Sequence, residues 1–281
     1  MKKLVILGAG TAGTMMSAKL RRALPPDEWA ITLVDQDDSH IYQPGLLFIP
    51  FGIYRGQDVV KSRARYVPPG VELLLSGIDV IDAENNKVRL GDGSELTYDF
   101  LIIATGSRIV PAEMEGLTGP GWGKNTFDFY TLEGAQQLFY ALERFEQGRL
   151  ILNVAEMPIK CPVAPLEFLF LADWFFHQKG IRDKVEIIYA TPLDGAFTKP
   201  RASALLGGLL EEKGVKVETV FNASEVDGDG RILKSWDGRE LRYDLLVSVP
   251  TNMGSEAIER SGMGDDLGFI PTEKASLRSK E

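Results

Sequence analysis

Six residues near the N-terminus, Gly8-Ala9-Gly10-Thr11-Ala12-Gly13, constrain this chain more than any other stretch. They follow a short apolar run, Leu4-Val5-Ile6-Leu7, and precede Thr14 to Leu24, which holds neither proline nor glycine and is compatible with a helix. A second apolar run, Ala30-Ile31-Thr32-Leu33-Val34, ends on Asp35. Strand, glycine turn, helix and strand in this order make a βαβ unit. The first glycine permits the sharp turn, the second lets backbone approach a pyrophosphate, and the third lets helix and strand pack closely. The helix N-terminus then faces the phosphates. Asp35, about 20 residues beyond the glycines, stands where a carboxylate accepts hydrogen bonds from an adenosine ribose. The expectation is a dinucleotide-binding unit.

At 281 residues the chain exceeds the usual single domain, so two domains or one elaborated domain are expected. A formal net charge of -9 and the lack of a basic stripe argue against a nucleic-acid partner. One cysteine forms no intrachain disulfide and excludes a cysteine-rich metal site. Met1-Lys2-Lys3 before an apolar run imitates a signal peptide, but the run breaks at the glycine turn. The apolar stretch Leu166 to Phe176 is interrupted by Glu167 and Asp173 and falls short of the roughly 20 residues of a spanning helix. The expected location is cytoplasmic or peripheral to the cell membrane, with no signal peptide or transmembrane helix.

After Asp35, residues Gln36 to Gly56 read as a long loop leaving the end of the second strand, with His40 as a candidate proton carrier. Gln57 to Tyr66 reads as a short helix closed by Pro68-Pro69-Gly70. Four strands follow, Val71 to Leu75, Ile78 to Asp82, Lys87 to Leu90 and Glu95 to Thr97, joined by polar turns in an antiparallel meander. Tyr98-Asp99-Phe100-Leu101-Ile102-Ile103 then leads to Ala104-Thr105-Gly106-Ser107, a buried parallel strand ending in a sharp turn.

Glu115 to Gly123 reads as a linker, and Thr131 to Gln147 as a helix with Leu132, Ala135, Leu138, Phe139 and Leu142 on its buried face. A second α/β unit follows: strand Leu150 to Val154, helix from about Leu166 to Gln178, strand Val185 to Tyr189, helix Lys199 to Lys213, strand Val215 to Val220, and hairpin strands near Arg231 to Trp236 and Glu240 to Leu241. Tyr243 to Pro250 repeats the form of Tyr98 to Thr105, so the halves are approximate copies. The fold class is α/β with two Rossmann-like domains, each a doubly wound βαβ with an antiparallel meander. The expected boundaries are 1–112, 113–250 carrying the Cys161 loop, and a return segment 251–281.

The second copy lacks a glycine turn. Its loop, Ala155-Glu156-Met157-Pro158-Ile159-Lys160-Cys161-Pro162-Val163-Ala164-Pro165, has three prolines that fix φ and remove N–H donors, which argues against NAD(P)H binding. In place of the glycines stands the only cysteine, just before a helix and beside Lys160. A helix N-terminus and a cation both favour a reactive thiolate, and a free cysteine otherwise packs as a small hydrophobe.

The N-terminal glycine turn, the meander and the Ala104-Thr105-Gly106 turn, in this order, resemble the large flavoprotein family with two dinucleotide-binding domains, of the FAD/NAD(P)-binding disulfide-reductase type. The resemblance implies FAD. It places Gly8, Gly10 and Gly13 at the pyrophosphate, Asp35 at the ribose, Ile78 at the adenine, Thr11, Ala12, Gln36 and Pro44 as further cofactor contacts, and Ala104, Thr105 and Gly106 closing over the nucleotide. Met157 to Pro165, with Glu167 six residues after the cysteine, is similar to the sulfide:quinone oxidoreductases and the flavin subunits of flavocytochrome c sulfide dehydrogenases. Gly195-Ala196-Phe197-Thr198-Lys199-Pro200 and Gly268-Phe269-Ile270-Pro271 also match that pattern.

This second resemblance implies Cys161 as the sulfur-carrying catalytic thiol and Glu167 as a proton shuttle. It also implies sulfide as substrate, a quinone or cytochrome as acceptor, a membrane surface contacted by a full-length chain, and self-association into a homo-oligomer. Two departures stand out. Tyr130 occupies a place where members hold a further cysteine, and the segment that would follow Pro271, with its Gly-Asp pair and partner cysteine, is absent from the sequence, which reads as truncated. Competing readings are a type II NADH:quinone dehydrogenase-like enzyme and a non-catalytic FAD-binding or sulfur-carrier subunit.

Overall fold

A computed structural model describes residues 1–280. The chain divides into two compact units, one formed by 1–41, 60–108 and 253–281, the other by 42–59 and 109–252. Residues 42–59, read from the sequence as part of the first domain, cluster with the second.

The first unit is built on a four-stranded parallel sheet in the order Glu72–Leu75, Trp29–Asp35, Lys2–Leu7, Phe100–Ile103. Helix Thr11–Ala23 links the first two strands of the chain. Ile6, Leu7, Leu33 and Val34 are wholly buried, as a strand covered on both faces requires. The meander has three strands, Ile78–Asp82, Lys87–Leu90 and Glu95–Thr97. Glu72–Leu75 is therefore an outer parallel strand and no part of the meander. The span expected as one helix over 57–66 divides into a four-residue helix, Gly56–Val59, a strand, Val60–Ser62, and a 3-10 turn, Arg63–Tyr66. Val60–Ser62 pairs antiparallel with Ser39–Ile41, which puts a strand inside the stretch expected as a long loop. A 3-10 turn over Gln43–Phe48 occupies more of that stretch. The last segment carries the short helix Glu256–Arg260, and its Ile258 joins the core with Val5, Val34 and Ile81.

The second unit has a five-stranded parallel sheet in the order Thr126–Phe127, Leu245–Val249, Gly148–Val154, Val185–Ala190, Val215–Glu218. Its meander is Ala223–Asp227, Ile232–Ser235 and Glu240–Arg242. The stretch expected as a linker is packed: Leu117 is buried, and Glu115 bridges Glu225. Thr131 caps helix Leu132–Arg144 by accepting a hydrogen bond from the Gly134 amide at 2.9 Å.

The repeat between units reaches individual bonds. Asp99 accepts from the Lys3 amide at 2.7 Å and Asp244 from the Arg149 amide at 2.8 Å, so in each unit the Asp after a tyrosine ties the start of the central strand. The tyrosine amides match as well, Tyr98 donating to the Asn86 carbonyl and Tyr243 to that of Arg231.

Helix Ala164–Gln178 is apolar almost all round, with Leu166, Phe168, Leu169, Ala172 and Phe176 buried. It also buries Asp173, which is 2% exposed and takes hydrogen bonds from Arg182 at 2.7 Å and Lys213 at 2.8 Å. Burial pushes this carboxyl up, but the hydrogen bonds and charges of Lys213 and Arg182 outweigh it and hold the group below its ordinary 3.8. A carboxyl depressed by folding contributes stability above its unfolded value and loses it as pH falls through the folded one. Asp173→Asn is therefore expected to cost about 2–3 kcal/mol at neutral pH. The gap between variant and parent should narrow below about pH 4, where the unfolded carboxyl takes up its proton. Urea unfolding at pH 7 and pH 3.5 measures both, and a gap of equal size at the two values contradicts the assignment.

Candidate functional site

The sequence reading pointed to two places, the glycine turn in the first unit and the Cys161 loop in the second. At the first, each glycine meets a different environment. A Cβ on Gly13 would stand 1.8 Å from the Gly8 carbonyl oxygen, and one on Gly8 (φ +94°) 2.4 Å from that of Ala104, so both are required by close backbone packing. A Cβ on Gly10 would meet nothing within 4 Å. That open space beside the start of helix Thr11–Ala23 is what a pyrophosphate needs. Thr11 and Ala12 are exposed in the first turn.

Beside the turn lies a cleft of about 550 Å³ lined by Gly8, Asp35, Gln36, Ile78, Thr105 and Arg108, together with Arg260 and the Ser255 to Ala257 start of its helix. Asp35 Oδ2 accepts from the Ala9 amide at 2.6 Å and pairs with Arg63 Nη1 at 2.9 Å. Its Oδ1 accepts from the Gln36 amide alone, so acceptor capacity remains on the cleft-lining carboxylate. Ala104 and Gly106 sit in the turn either side of Thr105, outside the lining, as does Pro44, which is exposed in the 3-10 turn of the other unit.

Arg63 supports this candidate site from below and was missed by the sequence reading. It is 7% exposed, and its guanidinium donates to the carbonyls of Ala9, Asp37 and Ser39, each at 2.8 Å. It thereby fixes the glycine turn to the stretch after Asp35. His40 makes a contact of 3.4 Å with the Ala9 carbonyl and packs on Tyr66 at 4.6 Å between ring centroids, so it belongs to the same buttress. Arg108 was also missed. It lines the cleft with its Nε buried and unbonded, and its outer nitrogens lie 3.8 Å from Glu256 and Glu259.

In the second unit Cys161 is exposed and adopts φ +54°, a left-handed conformation uncommon for a residue with a side chain. Helix Ala164–Gln178 begins three residues later, and Glu167 stands exposed in its first turn. The Cys161 carbonyl accepts from the Ala164 amide at 3.0 Å and from the Tyr130 hydroxyl at 3.4 Å. The Lys160 amide donates to Asn252 Oδ1 at 3.0 Å. Lys160 Nζ lies 6.0 Å from the centre of the Tyr130 ring. Burial pushes the Lys160 ammonium down, opposed by the charge of Asp128. Burial in turn pushes the Asp128 carboxyl up, opposed by hydrogen bonds from Thr131 and the Tyr130 amide. The Tyr130 phenol is pushed far up by burial, with smaller contributions from Cys161, Tyr189 and Glu167. The structure thus gathers Cys161, Glu167 and Lys160 round the Tyr130 phenol.

Residues 2–152 match the family described as pyridine nucleotide-disulphide oxidoreductase. The chain belongs to that family. Of its curated relatives, mitochondrial sulfide:quinone oxidoreductase of Mus musculus is 25% identical over 289 residues, taking in 99% of this chain and 63% of that protein. Its counterpart in Dictyostelium discoideum is 27% identical, over 98% of this chain and 62% of that one. Among solved structures, the sulfide:quinone oxidoreductase of Aquifex aeolicus superposes with a TM-score of 0.82 at 20% identity, covering 95% of this chain and 63% of that one. The chain therefore spans somewhat over six-tenths of the length of these relatives.

The pyridine nucleotide-disulphide oxidoreductase family and these relatives are FAD-binding flavoproteins. The glycine turn fits that cofactor in three ways: open space at Gly10, spare acceptor capacity on Asp35, and a cleft continuing to Ile78. Among the described residues no helix is long and apolar enough to cross a membrane, and no group of three or more His, Cys, Asp or Glu is arranged to hold a metal ion.

Proposed function

We propose that this chain is an FAD-dependent oxidoreductase that oxidises sulfide on Cys161 and delivers the electrons to a quinone. The observation that carries this reading is the Cys161 loop. Where the first unit has a glycine turn, the second presents an exposed thiol in a left-handed conformation ahead of a buried helix. The similarity to sulfide:quinone oxidoreductases along nearly the whole chain supports it.

FAD is held by the open face of the turn from Gly8 to Gly13, including Thr11 and Ala12. Asp35 and Gln36 would serve its ribose and Ile78 its adenine, and Ala104, Thr105 and Gly106 would close the site. When bound, the flavin supplies a two-electron acceptor: hydrosulfide loses two electrons and a proton as its sulfur joins the Cys161 thiolate in a persulfide, and a quinone later takes the electrons with two protons. Cys161 holds the sulfur, since only a thiolate makes a sulfur–sulfur bond here. The exposed carboxylate of Glu167 takes the proton. Contact with a membrane surface is the route by which the quinone reaches the protein.

Anaerobic addition of sulfide to the FAD-loaded protein tests the reading: the flavin absorbance should bleach and return on adding a quinone. Loss of bleaching in every preparation that retains FAD would sink it. The same samples carry a second prediction. NADH and NADPH should reduce the flavin at least about a hundredfold more slowly than sulfide, because Pro158, Pro162 and Pro165 remove amide donors from the turn that would wrap a second pyrophosphate. Fast bleaching by NADH would favour an NADH dehydrogenase-like reaction.

A further inference from the structure

The Cys161 loop is tied down on both sides of the cysteine. On one side the Lys160 amide donates to Asn252 Oδ1, and Asn252, 2% exposed, donates from Nδ2 to the Pro250 carbonyl at 2.9 Å. On the other, the Cys161 carbonyl accepts from both Ala164 and Tyr130. The left-handed conformation between these ties is costly for a residue bearing a Cβ, and it persists only where the surroundings hold it. Tyr130 suits that task. It is 9% exposed, and its ring packs edge-on to Phe129, which in turn stacks on Phe168 of the helix following the cysteine.

We propose that Tyr130 is a positioning residue that clamps the Cys161 carbonyl and so keeps the thiol presented to solvent. This rests on reading Cys161 as the reacting thiol and adds what holds it ready. Burial pushes the phenol up from its ordinary value, so its hydroxyl keeps its proton and donates at neutral pH. The phenol stands 31 residues from the cysteine in sequence, so the clamp is a product of the fold alone.

The sequence has a single cysteine, which makes its alkylation an unambiguous readout independent of flavin. Tyr130→Phe keeps the ring among its aromatic neighbours and removes only the hydroxyl. Without the clamp the cysteine relaxes from an already exposed position, and iodoacetamide should label it roughly two- to tenfold more slowly, the worth of one hydrogen bond. The ratio of parent to variant rates should stay constant from pH 6 to pH 9. Asn252→Ser, which loosens the tie on the Lys160 side, is the second variant and should slow labelling too. Equal rates in parent and in whichever variants fold, or a ratio that changes across that pH range, overturns the clamp. Failure of the sulfide reading is separate: a Cys161→Ser protein that still bleaches with sulfide removes Cys161 from the reaction without touching the labelling result.

Discussion

Gly10→Val is expected to leave a folded protein that has lost its flavin, whereas Gly13→Val is expected to lose the fold of the first unit. The two glycines stand three residues apart in one turn, yet their surroundings set opposite outcomes. At Gly10 the backbone is ordinary, φ −73°, and a side chain meets no protein atom within 4 Å, so the stability cost should stay below about 1 kcal/mol. The space it fills is the space a pyrophosphate needs, and FAD affinity should fall about a hundredfold or more, ~2.7 kcal/mol. At Gly13 the Cβ would lie 1.8 Å from the Gly8 carbonyl oxygen, a backbone atom that moves only with the strand and turn around it. Overpacking there should cost roughly 3 kcal/mol or more. Flavin fluorescence titration and urea unfolding separate the cases. Normal FAD content in Gly10→Val removes the glycine turn from the cofactor site, and normal stability in Gly13→Val means the turn does not pack as described.

What the sequence reveals follows the range of the interactions involved. The parallel strands Lys2–Leu7 and Leu245–Val249 are legible because a strand buried on both faces is a continuous apolar run. Glu72–Leu75 belongs to the same kind of sheet but lies at its edge, with Glu72 and Leu75 exposed, and its half-buried pattern imitates an antiparallel strand. Val60–Ser62 was hidden because its partner, Ser39–Ile41, lay in a stretch rich in turn residues, and pairing across that distance overrides local helix preference. At the two candidate places the single residues Gly10 and Asp35, and separately Cys161, announce themselves by type and spacing. Their supports do not: Arg63 reaches the Ala9 carbonyl across 54 residues, and Arg108 lines the cleft with no local pattern to mark it.

Cys161→Ser should retain FAD and lose sulfide-driven flavin reduction by on the order of a thousandfold. Serine nearly matches cysteine in volume at an exposed position, so fold and cofactor content should be unaffected. Its hydroxyl stays protonated and forms no stable bond to sulfur, so the two electrons of hydrosulfide have no route through a persulfide. Stopped-flow absorbance under anaerobic conditions gives the rate, and a variant that bleaches at the parental rate makes Cys161 a packing residue. A chain of residues 1–281 alone carries a stoichiometric consequence of the same argument. With one cysteine in the sequence, no second thiol of the chain can attack the persulfide and release its sulfur. Each chain should therefore take up one sulfur and reduce one flavin, then stop even with quinone present. Adding a small nucleophile such as cyanide, which removes the outer sulfur as thiocyanate and returns the Cys161 thiolate, should convert that single event into steady turnover. Steady turnover with sulfide and quinone alone would mean that sulfur leaves Cys161 by attack of a second hydrosulfide, and the rate should then rise with sulfide well after Cys161 is saturated.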